Sequence, residues 1–209
     1  MKTVVCFGDS NTYGFMPGGV GRFPKDVRWP GVLQKLLGPG YDVVEEGLSG
    51  RTTAFSWPDC TWKNGLDNIR PCLASHTPVD VLVIMLGTND CNSVHGATPE
   101  LMERAMRSLV EAAREVCLAD QKHEPRILIV SPPPIGENYR ESIFAADLDA
   151  EAVRKSRLIA EIQARVAASM GCRHLDAGAY VRVSDVDSEH LSAESHALLA
   201  QKVAEALAG

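Results

Sequence analysis

The run Val79-Asp80-Val81-Leu82-Val83-Ile84-Met85-Leu86, ending in Gly87-Thr88-Asn89-Asp90, constrains the fold of this chain most strongly. It is nearly continuous rather than alternating, so a strand built from it must be covered on both faces. That is the situation of a parallel sheet held between two layers of helices. Shorter runs of the same kind stand at residues 4–7, 41–44, 126–130 and 173–175. Apolar residues at Trp29, Val32, Leu33, Leu36 and Leu37 have helical spacing, and Gly38-Pro39-Gly40 stops them. Thr98-Pro99 offers an N-cap with proline in the first turn, and the stripe from Leu101 continues to about Val116. Val153, Leu158, Ile162, Val166 and Met170 predict one long helix closed by Gly171. A last helix lies within residues 191–207, after a Ser192 cap. Residues 54–77, with Trp57, Pro58, Trp62, Gly65 and Pro71, predict irregular structure with at most a short helix near 66–73. The order βαβαβαβαβα makes this an α/β chain, a three-layer sandwich with five parallel strands. No linker or repeat interrupts residues 1–209, which read as a single domain.

Bulk properties narrow the classes of partner. The net charge is -6 and no Lys/Arg-rich stripe exists, which argues against a nucleic-acid face. No stretch approaches the ~18 apolar residues of a membrane span. Met1-Lys2-Thr3 leads only into a short apolar run, too short for an export signal, so a cytoplasmic location is expected. Cys6, Cys60, Cys72, Cys91, Cys117 and Cys172 are scattered, without C-x-x-C or a compact Cys/His cluster. They read as reduced thiols, and neither a metal site nor a cofactor is expected.

Loops that follow parallel strands emerge on one edge of the sheet, where open α/β folds bind their ligands. Ser10, Gly50 and Asn89 follow successive strands and should converge there. Asp187 and His190 lie just before the last helix, three residues apart. An imidazole can take a serine proton near neutral pH, and a carboxylate on its other nitrogen fixes the tautomer. Asp185 is the alternative carboxylate. The Ser10 and Gly50 N–H groups and the Asn89 amide are candidate donors to a developing oxyanion. His76, His95, His123, His174 and His196 are read as structural or surface residues. Asp9, Tyr13, Phe15, Trp57 and Trp62 are candidates for the wall of a substrate pocket.

Gly8-Asp9-Ser10, Gly47-Leu48-Ser49-Gly50-Arg51-Thr52, Gly87-Thr88-Asn89-Asp90 and Asp187-x-x-His190 resemble the four blocks of the SGNH (GDSL-type) hydrolases, in order and across the chain. The resemblance implies a flavodoxin-like sandwich of strand order 2-1-3-4-5. It implies Ser10 as nucleophile, Asp187 and His190 as orienter and base, and Ser10, Gly50 and Asn89 as oxyanion donors. Cofactors are usually absent. Arg28-Trp29, the run from Glu45 to Ser49 and Val130-Ser131-Pro132-Pro133-Pro134 are similar to a subgroup of small bacterial arylesterases and acyltransferases. That likeness implies a small-molecule ester as substrate, acyl transfer as a side activity, and a homo-oligomer, an octamer in that subgroup. Tyr13 and Phe15 depart from the subgroup's tryptophans, and Gly50 from its alanine. Two other readings stand beside the esterase. One is an O-acetylesterase of carbohydrates or other small metabolites. The other is a non-catalytic flavodoxin-like module that binds FMN or phosphate on Ser10-Asn11-Thr12-Tyr13-Gly14.

Overall fold

A computed structural model describes residues 1–209. Strands β1 (Lys2–Gly8), β2 (Tyr41–Gly47), β3 (Val81–Met85), β4 (Arg126–Ser131) and β5 (Arg173–Asp176) form one parallel sheet of order β2-β1-β3-β4-β5. The alternation of side chains along each strand explains the layers. Val5, Phe7, Leu82, Ile84, Ile127 and Ile129 face one side and pack under α3 (Gly65–Ser75), α4 (Pro99–Gln121) and α6 (Ile159–Met170). Val4, Cys6, Val81, Val83, Leu128 and Val130 face the other, under α2 (Trp29–Leu37) and α7 (Ala193–Ala208). Each central strand is thus apolar on both faces, as the run at Val79 requires. The remaining helices, α1 (Ser10–Tyr13) and α5 (Ala150–Ser156), belong to the loop edge.

Several boundaries differ from the sequence expectation. Strand β2 runs three residues further, through Glu45 and Glu46 to Gly47. The carboxylates are held by partners: Glu45 accepts from Arg28 Nε, and Glu46 pairs with His76. Helix α3 forms around Pro71 and spans more than residues 66–73, with Asn64 capping its first turn. The expected helix from Val153 to Met170 is broken at residues 157–158 into α5 and α6. Ser156 is the cause. Its Oγ donates back to the Val153 carbonyl at 2.8 Å and accepts the Ile135 N–H at 3.0 Å, competing with the helix for its own backbone. All six cysteines are free, and Cys6, Cys91 and Cys117 are buried. No helix is long and apolar enough to cross a membrane.

Candidate active site

The strand order places β1 between β2 and β3, so the chain leaves β1 and β3 toward opposite sides of the sheet and a crevice opens at their C-terminal ends. Ser10 stands there, at the first position of the single-turn helix α1. Asp9 caps that turn, its Oδ1 accepting the Asn11 N–H at 3.0 Å. Gly8 lets the turn close against the strand, because a Cβ at Gly8 would overlap Thr12 and the Met85 carbonyl. The first N–H of a helix has no intrahelical acceptor, which leaves the Ser10 N–H available.

His190 Nε2 lies 3.0 Å from Ser10 Oγ, and His190 Nδ1 lies 2.8 Å from Asp187 Oδ2. The spacing of three residues follows from a side-chain turn. Asp187 Oδ1 accepts the backbone N–H groups of Glu189 (3.1 Å) and His190 (2.9 Å), curling the loop so that the imidazole returns over the carboxylate. Ser188 takes a φ of +62° within this curl. Asp187 Oδ2 accepts a further hydrogen bond from Gly18 N–H at 3.0 Å. The carboxylate is 0% exposed, whereas Asp185 is exposed and plays no part in this network. Phe15 lies against the imidazole at a centroid distance of 4.5 Å, and Phe144 meets it edge-on at 5.4 Å.

Charge and burial oppose each other here. Burial by itself would raise the Asp187 pKa. The hydrogen bonds from the His190 ring and backbone, with that from Gly18, outweigh it and hold Asp187 at about 2. Burial would lower the His190 pKa, but the Asp187 hydrogen bond and the charges of Glu189, Asp187 and Asp9 carry it above the ordinary histidine value. His190 must be neutral to accept the serine proton. Activity is therefore expected to fall about tenfold per pH unit on the acid side, with a midpoint above the ordinary ~6.5. A pH profile of kcat/KM on a short p-nitrophenyl ester measures this, and a midpoint below the ordinary value would contradict the arrangement. Asp9, buried beside Ser10, is pushed up to about 7 by desolvation.

Gly50 and Asn89 border the same crevice as Ser10 and His190. Gly50 has a φ of +80°, in the left-handed region where glycine carries no Cβ penalty, and its N–H has no acceptor within the protein. Its carbonyl is turned away and accepts Trp57 Nε1 at 2.7 Å. Asn89 Nδ2 donates to the Arg51 carbonyl at 3.1 Å, which orients the amide and leaves its second N–H free to donate. Each donor aimed at a developing oxyanion is worth about 3 kcal/mol of transition-state stabilisation. The loops are cross-braced. The Arg51 guanidinium is buried, donates to the Gly8 carbonyl at 2.9 Å and to the Glu46 carbonyl, and stacks over Phe7. Thr53 N–H donates to Asp90 at 2.7 Å, tying the loops after β2 and β3 together.

Two of the five pocket candidates, Phe15 and Trp57, line the crevice; Asp9, Tyr13 and Trp62 do not. Asp9 is turned inward to cap α1 and is 1% exposed. The Tyr13 ring lies under the Arg22 guanidinium, and Trp62 points to solvent, 57% exposed. The cavity measures about 390 Å³, and Asp59, Lys63, Asn92, Asp147, Glu189 and Phe144 complete much of its wall. Most of these come from irregular segments, which carry no period from which to place them. The stretch Ser10-Asn11-Thr12-Tyr13-Gly14 is a closed helical turn with its serine on His190, rather than an open phosphate cradle.

Asn11 is a positioning residue that spacing alone did not reveal. Its Nδ2 donates to the Glu189 carbonyl at 3.1 Å and its Oδ1 accepts the Leu191 N–H at 2.9 Å. The amide therefore grips the backbone on both sides of His190 from the residue next to Ser10. Asn11→Ala is expected to leave the buried Leu191 N–H unpaired at a cost of about 1–3 kcal/mol. Loosened placement of His190 should lower kcat by about 10- to 100-fold. Thermal denaturation and steady-state kinetics check both.

The profile of the GDSL-like Lipase/Acylhydrolase family matches residues 6–198. The chain belongs to this family. Solved relatives agree along the whole fold. An aryl esterase from M. smegmatis is 33% identical, covering 100% of this chain and 99% of its own, with a TM-score of 0.93. A carbohydrate acetylesterase from Sinorhizobium meliloti is 32% identical over 100% and 99% of the two chains, also with a TM-score of 0.93. An acetylxylan esterase from Xylanibacter ruminicola is 30% identical over 148 residues, which cover 63% of this chain and 28% of that protein. The chain thus matches under a third of the length of that larger esterase. The likeness to these solved esterases, over nearly the whole of both chains, supports carboxylic-ester hydrolysis.

Proposed function

We propose that this protein is a serine esterase that cleaves short-chain, acetyl-like or aryl carboxylic esters through an acyl-enzyme on Ser10. The unbroken relay from Asp187 through His190 to Ser10 Oγ, opening into a crevice bordered by Gly50 and Asn89, carries the reading. His190 Nε2 takes the hydroxyl proton as Oγ attacks the ester carbonyl. The Ser10 and Gly50 N–H groups and the Asn89 amide receive the oxyanion. His190 returns the proton to the departing alcohol. Water then enters, gives its proton to His190 and attacks the acyl carbon, and the acid leaves as Ser10 regains its proton. An alcohol in place of that water yields acyl transfer.

The small cavity favours small esters. Its wall also supports the second reading, an O-acetylesterase of carbohydrates or similar metabolites. Asp59, Lys63, Asn92, Asp147 and Glu189 offer acceptors and donors suited to hydroxyl groups, and one of the relatives above is a carbohydrate acetylesterase. The test is a series of p-nitrophenyl esters from acetate to octanoate, run beside acetylated sugars and labelling by a serine-directed phosphonate. Acetate is expected to exceed octanoate in kcat/KM by about tenfold or more, with the phosphonate on Ser10. Equal rates along the series would exclude the small-acyl reading, and no adduct on Ser10 would exclude the acyl-enzyme.

We infer in addition a cytoplasmic homo-oligomer. Exposed Val20, Ile143 and Val186 support the association alone, because they cluster around Gly18 and Gly19 beside the loop that carries His190. Light scattering at micromolar concentration tests it, and a monomer there rules it out.

A further inference from the structure

Glu46, Cys72 and His76 meet at a place the esterase mechanism does not use. Glu46 is the penultimate residue of β2. Cys72 and His76 are four residues apart, so α3 and its C-cap present them on one helical face. The Cys72 Sγ, a His76 ring nitrogen and a Glu46 carboxylate oxygen all lie within 4.8 Å of one another. His76 Nε2 is 2.7 Å from Glu46 Oε1. The His76 and Glu46 side chains are 27% and 30% exposed, which leaves an approach from solvent.

Thiolate, imidazole and carboxylate with one open position are the donors of four-coordinate zinc, whereas magnesium and calcium take oxygen ligands. We propose that Glu46, Cys72 and His76 form a binding site for a divalent transition-metal ion, zinc by donor preference, with water as the fourth ligand. Metal–ligand bonds of about 2.0–2.3 Å put the corners of such a tetrahedron about 3.3–3.7 Å apart. The Glu46–His76 separation of 2.7 Å is shorter than that span, and none of the three separations exceeds 4.8 Å. On binding, the thiol proton leaves to solvent as the sulfur–metal bond forms. Glu46 and His76 exchange their mutual hydrogen bond for bonds to the ion. Glutamate and thiolate together balance a dication. In the metal-free protein, burial and the neighbouring Glu46 carboxylate push the Cys72 thiol up to about 12, and the Arg51 charge opposes them only in part. The ion would tie the end of β2 to α3, bracing the loop that carries Gly50 and Arg51.

The experiment uses the full-length, metal-stripped protein titrated with Co²⁺ and with Zn²⁺. One equivalent of Co²⁺ should produce a thiolate-to-cobalt charge-transfer band and the visible bands of a tetrahedral ion, and Zn²⁺ should displace both. Zn²⁺ should raise the melting temperature, since it binds the folded state selectively. Cys72→Ser should lose the charge-transfer band and the thermal shift. His76→Gln should weaken binding about tenfold or more, and Cys60→Ser should leave it unchanged. Circular dichroism of each variant verifies folding. Cobalt binding without a thiolate band overturns the site, as does a band that survives Cys72→Ser in a folded protein or the absence of binding in excess Co²⁺.

Discussion

Ser10→Ala is expected to lower kcat by about 10⁴- to 10⁶-fold while leaving the fold intact. The substitution removes one oxygen, and the only side-chain partner that oxygen has is His190 Nε2. The imidazole stays clamped by Asp187 and by the Asn11 grip on its flanking backbone. It also borders the open crevice, where solvent can replace the lost partner. Stability should therefore change by less than about 1 kcal/mol. The rate falls because Ser10 carries the one hydroxyl bonded to His190 Nε2, which the other hydroxyl and thiol groups of the crevice wall do not reach. The residue left over, about 10³–10⁴ above water in comparable triads, comes from the oxyanion donors and binding. Single-turnover kinetics on p-nitrophenyl acetate, with a matched melting curve, checks both halves. Activity equal to the wild type would remove Ser10 as nucleophile.

Asp187→Asn should cost about 10⁴ in kcat, with a loss of stability that Ser10→Ala does not show. Asp187 accepts four hydrogen bonds, two on each oxygen. An asparagine has one oxygen. If that oxygen keeps the Glu189 and His190 backbone N–H groups, the amide NH₂ faces Gly18 N–H and His190 Nδ1. The imidazole must then present Nδ1 as an acceptor and carry its proton on Nε2, where it can no longer receive the serine proton. Gly18 N–H is left against a donor, a further cost of about 1–3 kcal/mol. The pH dependence of stability distinguishes this variant as well. Asp187 is held at about 2 in the folded protein, below the ordinary ~3.9 of an unfolded aspartate. Its contribution is present above about pH 4 and is lost as pH falls toward 2. That acid-side loss should be smaller in Asp187→Asn, measured by chemical denaturation between those values.

The two substitutions separate chemistry from positioning, and the same division runs through what was readable beforehand. The unbroken run at Val81–Met85 required a sheet covered on both faces, and the helical stripes supplied the covering layers. Loops after parallel strands share an edge, so Ser10, Gly50 and Asn89 could be assigned to one crevice without coordinates. The broken helix at residues 157–158 could not be read, because apolar spacing runs through it while the Ser156 hydroxyl, meeting the distant Ile135 N–H, interrupts it. Trp57 and Trp62 looked equivalent in sequence. One bonds Gly50 and lines the crevice; the other lies in solvent.

By itself the sequence determined the layered α/β architecture, the order of the loops and the identity of a serine, a histidine and an aspartate able to act together. Those depend on local period and on the one-sided geometry of parallel strands, both written in short spacings. Only the tertiary structure decided how Asn11 holds His190, where Arg51 braces the loop that carries Gly50 and that Glu46 meets Cys72 and His76. Each of these is a contact between segments distant in the chain. Its energy depends on burial and direction, which no spacing along the sequence encodes.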